Sequence, residues 1–161
     1  MFKINIKIIN NEYDDFAGES GFIQIKCNDK LYGEIWSEEL ADIMSQEYIF
    51  DWLNRLKQGL EILKRRDYVL IADIESYNTW IELKRNRDSL IFSIVKGETP
   101  DGSTDIEFHA DNIVPGAWTD QKILFEEFET EVNNTIADYM HYIETHNTNK
   151  NLIKKIKKAL S

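Results

Sequence analysis

The chain predicts an α+β fold, and three observations carry the prediction. Apolar residues alternate every second position in several stretches, as half-buried strands require, and recur every three to four positions in two longer ones, as helices require. Short polar turns join neighbouring alternating stretches, which argues antiparallel pairing. Each long helical run follows a group of strands, so the helices cover a face of the sheet. The expected architecture is an antiparallel sheet of about six strands in two groups with two long amphipathic helices packed on it, in the order β3-α-β3/4-α. The 161 residues suit a single domain, 1–161.

Residues 2–9 (FKINIKII) alternate and read as a strand. Lys3, Asn5 and Lys7 interrupt the apolar run, so it reads as a strand and not as a secretory leader. Residues 21–27 alternate again, Asn28-Asp29-Lys30 is a turn signal, and 31–36 read as the returning strand. Ser37 before Glu38 and Glu39 is an N-cap pattern that opens a short helix through Met44. From about Gln46 to Arg66 the period is helical, with Ile49, Leu53, Leu56, Leu60 and Leu63 on one stripe and Gly59 within it for close packing. Residues 68–75 read as a strand. Residues 78–84 and 89–96 form a second hairpin, Gly97 to Thr104 is a loop, 105–110 are a short strand, and 112–118 are a connection.

Thr119 is a candidate N-cap for a helix running to about Glu144, with the stripe Phe125, Phe128, Val132, Ile136, Tyr139 and Ile143. Asn147-Thr148-Asn149 breaks it. Residues 148–161 form a short basic helical tail, expected to fold back on the acidic segment before it.

Composition excludes several classes. Hydrophobic residues at 42% and aromatic residues at 12% argue against a disordered chain. No apolar run approaches a membrane span. A single cysteine, Cys27, leaves no intrachain disulfide and fits a cytoplasmic protein. A net charge of -10 argues against a nucleic-acid partner.

The charge is uneven. Residues 98–147 hold twelve acidic residues and one lysine, and residues 148–161 hold five lysines and no acid. The acidic block includes Glu126, Glu127, Glu129 and Glu131 on the last long helix, and Asp105, Glu107 and Asp111 before it. It reads either as a solvated face or as a surface that docks a cationic protein, with Trp118 at its rim. Arg65, Arg66, Arg85 and Arg87 form a basic spot if the first helix ends near the second hairpin turn.

The chain carries no catalytic motif of useful specificity. Asp105, Glu107, His109 and Asp111 alternate on one expected strand, which supplies at most two ligands to a metal, so no metal site is expected. There is no HExxH, no CxxC pair, no GxSxG, and no Gly-rich phosphate loop; Asp101 to Asp105 lack EF-hand spacing. No cofactor is expected. Asp73 and Glu75 are the best acid pair, sharing an expected strand face near Asn78 and Trp80. These four form an alternative ligand site for a hydrolase-like or ligand-binding domain, with His109 as a further candidate. A self-associating structural protein is a third reading, if a helix stripe continues into an exposed patch.

The segments WSEEL (36–40), YVLIADIESYNTWIEL (68–83) and IFSIVKGE (91–98) resemble in texture the small acidic immunity proteins of bacterial contact-dependent and polymorphic toxin systems. That resemblance implies a cytoplasmic, non-enzymatic protein that binds a toxin domain and blocks it. It implies no particular site residues. The expectation is therefore an acidic binding protein with a cationic protein partner, contacted by the helix from Asp120 to Glu144.

Overall fold

Alternation along Phe2–Ile8 (β1) puts Phe2 and Ile4 inward and Lys3 and Asn5 outward. β1 pairs antiparallel with Ser20–Cys27 (β2) from Phe2↔Cys27 to Ile8↔Gly21. A two-residue turn, in which Asn28 takes a left-handed φ of 56°, returns the chain as Lys30–Tyr32 (β3). The structure, a computed structural model, describes residues 1–99 and 104–161.

The returning strand is shorter than expected because Gly33 turns the chain away at φ 86°. A Cβ there would lie 2.3 Å from the Ile23 carbonyl oxygen. Beyond it, Ser37 caps nothing, and Glu38–Leu40 form only a single 3-10 turn instead of a helix to Met44. Glu47–Tyr48 (β4) then pairs with Ser20–Gly21 and completes a four-stranded sheet.

That pairing holds the backbone extended, so the first long helix (α1) starts at Ile49 and not at Gln46, and ends at Leu63. Its predicted stripe is buried at all five positions. Gly59 has the expected role: a Cβ there would meet Ile71 Cδ1 at 2.5 Å.

The second sheet has six strands. Tyr68–Ala72 (β5), Thr79–Asn86 (β6) and Ser89–Glu98 (β7) form its centre. Ile106–Glu107 (β8) adds beside β5, while Asp111–Pro115 (β9) and Gln121–Leu124 (β10) both pair with β7. Every pairing in both sheets is antiparallel. The α+β class holds, with ten strands in two sheets among the described residues where about six were expected.

Several boundaries move. β5 stops at Ala72, so Asp73 and Glu75 lie in a turn and not on a strand face. The strand expected over 105–110 is only Ile106–Glu107, so Asp105, Glu107, His109 and Asp111 do not line one strand. The connection at 112–118 contains β9. Residues 100–103 of the loop before β8, with Asp101, lie outside the described residues.

The second long helix (α2, Phe125–His146) begins six residues after Thr119. Asp120 takes φ 58° and its N–H donates to Ser93 Oγ at 2.8 Å, which sends Gln121–Leu124 along the edge of β7. Glu127 caps the helix by accepting the Leu124 N–H at 3.0 Å. All six predicted stripe residues are buried. The basic tail is a third helix (α3, Lys150–Ala159), which buries Ile156 and Leu160 and pairs Lys157 with Glu144 at 3.6 Å, as the fold-back reading expected.

One apolar cluster joins both sheets and all three helices, from Phe2 to Leu160. No helix among the described residues is long and apolar enough to cross a membrane. Cys27 is fully buried, and burial pushes its thiol up to about 11.

Candidate functional site

Three loops meet around the start of α1. The first, residues 9–19, joins β1 to β2. It is fastened by Asn147, whose side chain bonds the Ala17 N–H and carbonyl at 3.0 and 2.9 Å, and by the Tyr139 hydroxyl, which donates to the Gly18 carbonyl at 2.8 Å. The second, residues 33–46, joins β3 to β4. Gln46 fastens it by donating to the Ala41 carbonyl at 2.9 Å and accepting from Asn11 of the first loop at 2.6 Å. The third, residues 73–78, joins β5 to β6. The Asp73 carboxylate accepts the N–H groups of Glu75 and Ser76 at 2.8 and 3.1 Å and so shapes its own turn.

These loops, together with β4, carry eleven carboxylates and no Lys, Arg or His. The acids are Glu12, Asp14, Asp15 and Glu19; Glu34, Glu38, Glu39, Asp42 and Glu47; and Asp73 and Glu75. None joins an ion pair among the described residues. Apolar side chains stand out between them: Tyr13 is 92% exposed, Tyr77 85% and Ile43 77%, with Tyr48 also exposed.

A cleft of about 210 Å³ opens between the two sheets here, lined by Ile23, Ile25, Tyr32, Glu47, Trp52, Asp73 and Glu75. The Tyr32 hydroxyl donates to Asp73 Oδ2, and Trp52 Nε1 donates to Glu47 Oε1 at 3.1 Å. Burial pushes the Glu47 carboxyl up to about 7, with the charges of Asp73 and Glu75 adding to the rise and the Trp52 bond opposing it. Burial and the Asp73 bond raise the Tyr32 hydroxyl far above its usual range. Among the described residues, no three His, Cys, Asp or Glu side chains converge to hold a metal ion.

The alternative ligand quartet is a real locality. Asp73, Glu75, Asn78 and Trp80 line a depression of about 290 Å³ with Arg55 and Asp105. Trp80, however, is only 1% exposed, and its Nε1 donates to the Gly97 carbonyl at 3.0 Å. His109 does not line this depression; its Nε2 lies 3.0 Å from Asp111.

The acidic block expected as the contact surface is differently used. Glu131 accepts the Ile4 N–H at 2.9 Å and pairs with Lys3 at 3.1 Å. Glu129 pairs with Lys64 at 3.1 Å, and Glu127 caps α2 beside the Met1 amine. Asp105 pairs with Arg55 at 2.8 Å, and Glu107 accepts from Thr104. Trp118 donates to the Leu31 carbonyl at 2.9 Å and packs on Phe92. Glu126 remains exposed on α2.

At the other end of α1, about 20 Å away at 1.5 Å per residue, the helix end does lie near the second hairpin turn. Arg65, Arg66, Arg85 and Arg87 share one depression, and Arg85 donates to the Leu63 carbonyl at 2.7 Å. The molecule is therefore acidic at the start of α1 and basic at its end.

Sequence reasoning missed Glu47, Tyr32 and the exposed Tyr13, Ile43, Tyr48 and Tyr77. A usable signal was present: residues 8–25 and 31–54 contain no Lys, Arg or His. No family model matches the chain, and neither a curated protein nor a solved structure matches it.

Proposed function

We propose that the protein binds a cationic protein partner through the three acidic loops. The observation that carries this reading is a run of eleven carboxylates on three adjoining loops and β4, segments that hold no cation, with exposed tyrosines and Ile43 among them. Clustered like charge raises association rates with a basic partner and disfavours acidic ones. Tyrosines among the charges supply contact area at low entropic cost. With the texture shared with immunity proteins as its motive, the proposal takes the partner to be a toxin domain, which this chain would neutralise by covering it.

The test is capture from the source cells with three baits. The wild-type chain retains one basic protein in near-equal amount and loses part of it at high salt. A Glu38→Lys/Asp42→Lys bait loses it, and a Glu126→Lys bait keeps it. Co-expression then checks neutralisation: the captured partner arrests growth alone and does not when this chain is present. Equal capture by all three baits, or growth arrest unrelieved by the chain, overturns the proposal.

A second reading has one observation behind it. Glu47 at about 7 beside Asp73 is the pairing a general acid and base use near neutral pH. It predicts that Glu47→Gln abolishes turnover of a small substrate and leaves partner capture unchanged.

A further inference from the structure

The geometry points to a second interaction surface: the outer edge of β1, facing α2 across a groove, accepts an extended polypeptide segment as an added antiparallel strand. This goes beyond the acidic-loop reading and does not depend on it.

The edge is open by parity. In an antiparallel pair, alternate residues turn both backbone groups toward the partner strand. The Asn28 N–H donates to the Met1 carbonyl and the Ile9 N–H to the Ser20 carbonyl, so the odd-numbered residues of β1 face β2. Even-numbered residues therefore face outward. Ile4 confirms this, because its N–H donates to Glu131 Oε1 on α2 at 2.9 Å. One turn further along, the helix supplies no such group to Ile6 or Ile8. Among the described residues neither N–H has a side-chain partner, and both residues line a groove of about 750 Å³.

The opposite wall of the groove is α2, through Thr135, Asp138, Tyr139 and Tyr142. A strand seated here would pair its backbone with Ile6 and Ile8. Its inward side chains would lie beside theirs, because directly paired residues share a face. Those side chains would meet the isoleucines and Tyr139, with Asp138 within reach of a lysine or arginine. The outward side chains would neighbour Asn5 and Lys7. The fitting occupant is thus a segment of a protein partner with apolar and basic residues at alternate positions and neutral polar ones between. At its Ile8 end the groove meets the acidic loops directly, since Asn10 donates to the Tyr142 hydroxyl at 2.9 Å. A single partner can therefore occupy both. Strand addition of this kind takes its affinity from main-chain bonds and its specificity from alternate side chains.

The test uses nitrogen-15-labelled full chain and a capped heptapeptide, TVTKTVT. The amides of Ile4, Ile6 and Ile8 shift on titration, and those of Ile6 and Ile8 gain protection from hydrogen exchange. N-methylation of the peptide at valine, lysine and valine, whose donors face β1, weakens binding at least tenfold. N-methylation at the threonines changes it less than twofold. Thr135→Trp fills the groove and abolishes binding without lowering the melting temperature, and Glu38→Lys/Asp42→Lys leaves peptide binding unchanged. The proposal is overturned by no shift in β1 at millimolar peptide, by shifts confined to the loops, or by equal binding of both methylated forms. Sedimentation as a dimer that Thr135→Trp dissociates also overturns it, because the edge then belongs to a second copy.

Discussion

The acidic residues of α2 and those of the three loops differ in what faces them. On α2, Glu129 meets Lys64, Glu131 meets Lys3 and a backbone N–H, and Glu144 meets Lys157. Along the loops, Glu12, Asp15, Glu34, Glu38, Glu39, Asp42 and Glu75 are exposed, and no loop carboxylate has an ion-pair partner among the described residues. The helix uses its charge to fasten a strand, a neighbouring helix and the tail. The loops keep seven of their eleven turned to solvent at the cost of mutual repulsion. Charge that is already answered inside the fold contributes little to a docking field, and unanswered charge contributes most of it.

The largest difference concerns binding. Reversing Glu38 and Asp42 to lysine lowers affinity for the captured partner by about 30- to 100-fold, mostly through slower association, whereas Glu126→Lys changes it by less than about threefold. Surface plasmon resonance at 0.05 and 0.3 M salt reads both effects. Comparable losses from the two baits would erase the distinction between the regions.

Stability should reverse the ranking. Glu131→Ala leaves the outward Ile4 N–H without its partner and Lys3 without its ion pair, which costs about 1–3 kcal/mol. Glu38→Ala stays within about 0.5 kcal/mol. Urea unfolding of both variants checks this.

Glu47 adds a pH signature to the loop end. In the unfolded chain its carboxyl ionises near 4.5, and in the fold near 7. Between those values the folded chain holds a proton that the unfolded chain gives up, so stability falls as pH rises through this window. Glu47→Gln removes the penalty and keeps an oxygen for the Trp52 bond. The variant matches wild type near pH 4.5 and exceeds it by about 1–2 kcal/mol at pH 8, the open cleft screening part of the effect. That corresponds to about 2–6 °C in melting temperature.

The smallest effect is that of salt. Raising ionic strength from 0.05 to 0.5 M screens the repulsion between loops and raises the melting temperature by about 1–2 °C. In Glu38→Lys/Asp42→Lys the rise shrinks.

Local signals were legible in the sequence. The α1 and α2 stripes, the turns at Asn28 and Arg87, and the packing role of Gly59 all follow from spacing and residue type. Elements set by distant partners were not. Thr119-Asp120 imitates a helix start, yet Ser93 captures the Asp120 N–H and the next four residues join β7. Glu47 looks like a helix residue until β2 draws it into a strand pair. For the site, alternation through 68–75 predicts Asp73 and Glu75 on a strand face, whereas the strand ends before them and both line the cleft with Glu47. The acidic end was hidden because the first 97 residues hold thirteen cations, which nearly balance its charge in a running count. In the fold several of those cations sit elsewhere, as with Lys3 beside Glu131 and Arg85 over Phe125. Contacts across more than a hundred residues leave no trace in local pattern.

The most direct measurement of the central claim needs no identified partner. Hexalysine is titrated into the nitrogen-15-labelled chain at low salt, and amide shifts are mapped. Shifts concentrated in residues 9–19, 33–48 and 73–78, with little change around Glu126 and Asp138, are the predicted result. Shifts centred on α2, or spread evenly over both regions, would contradict the account.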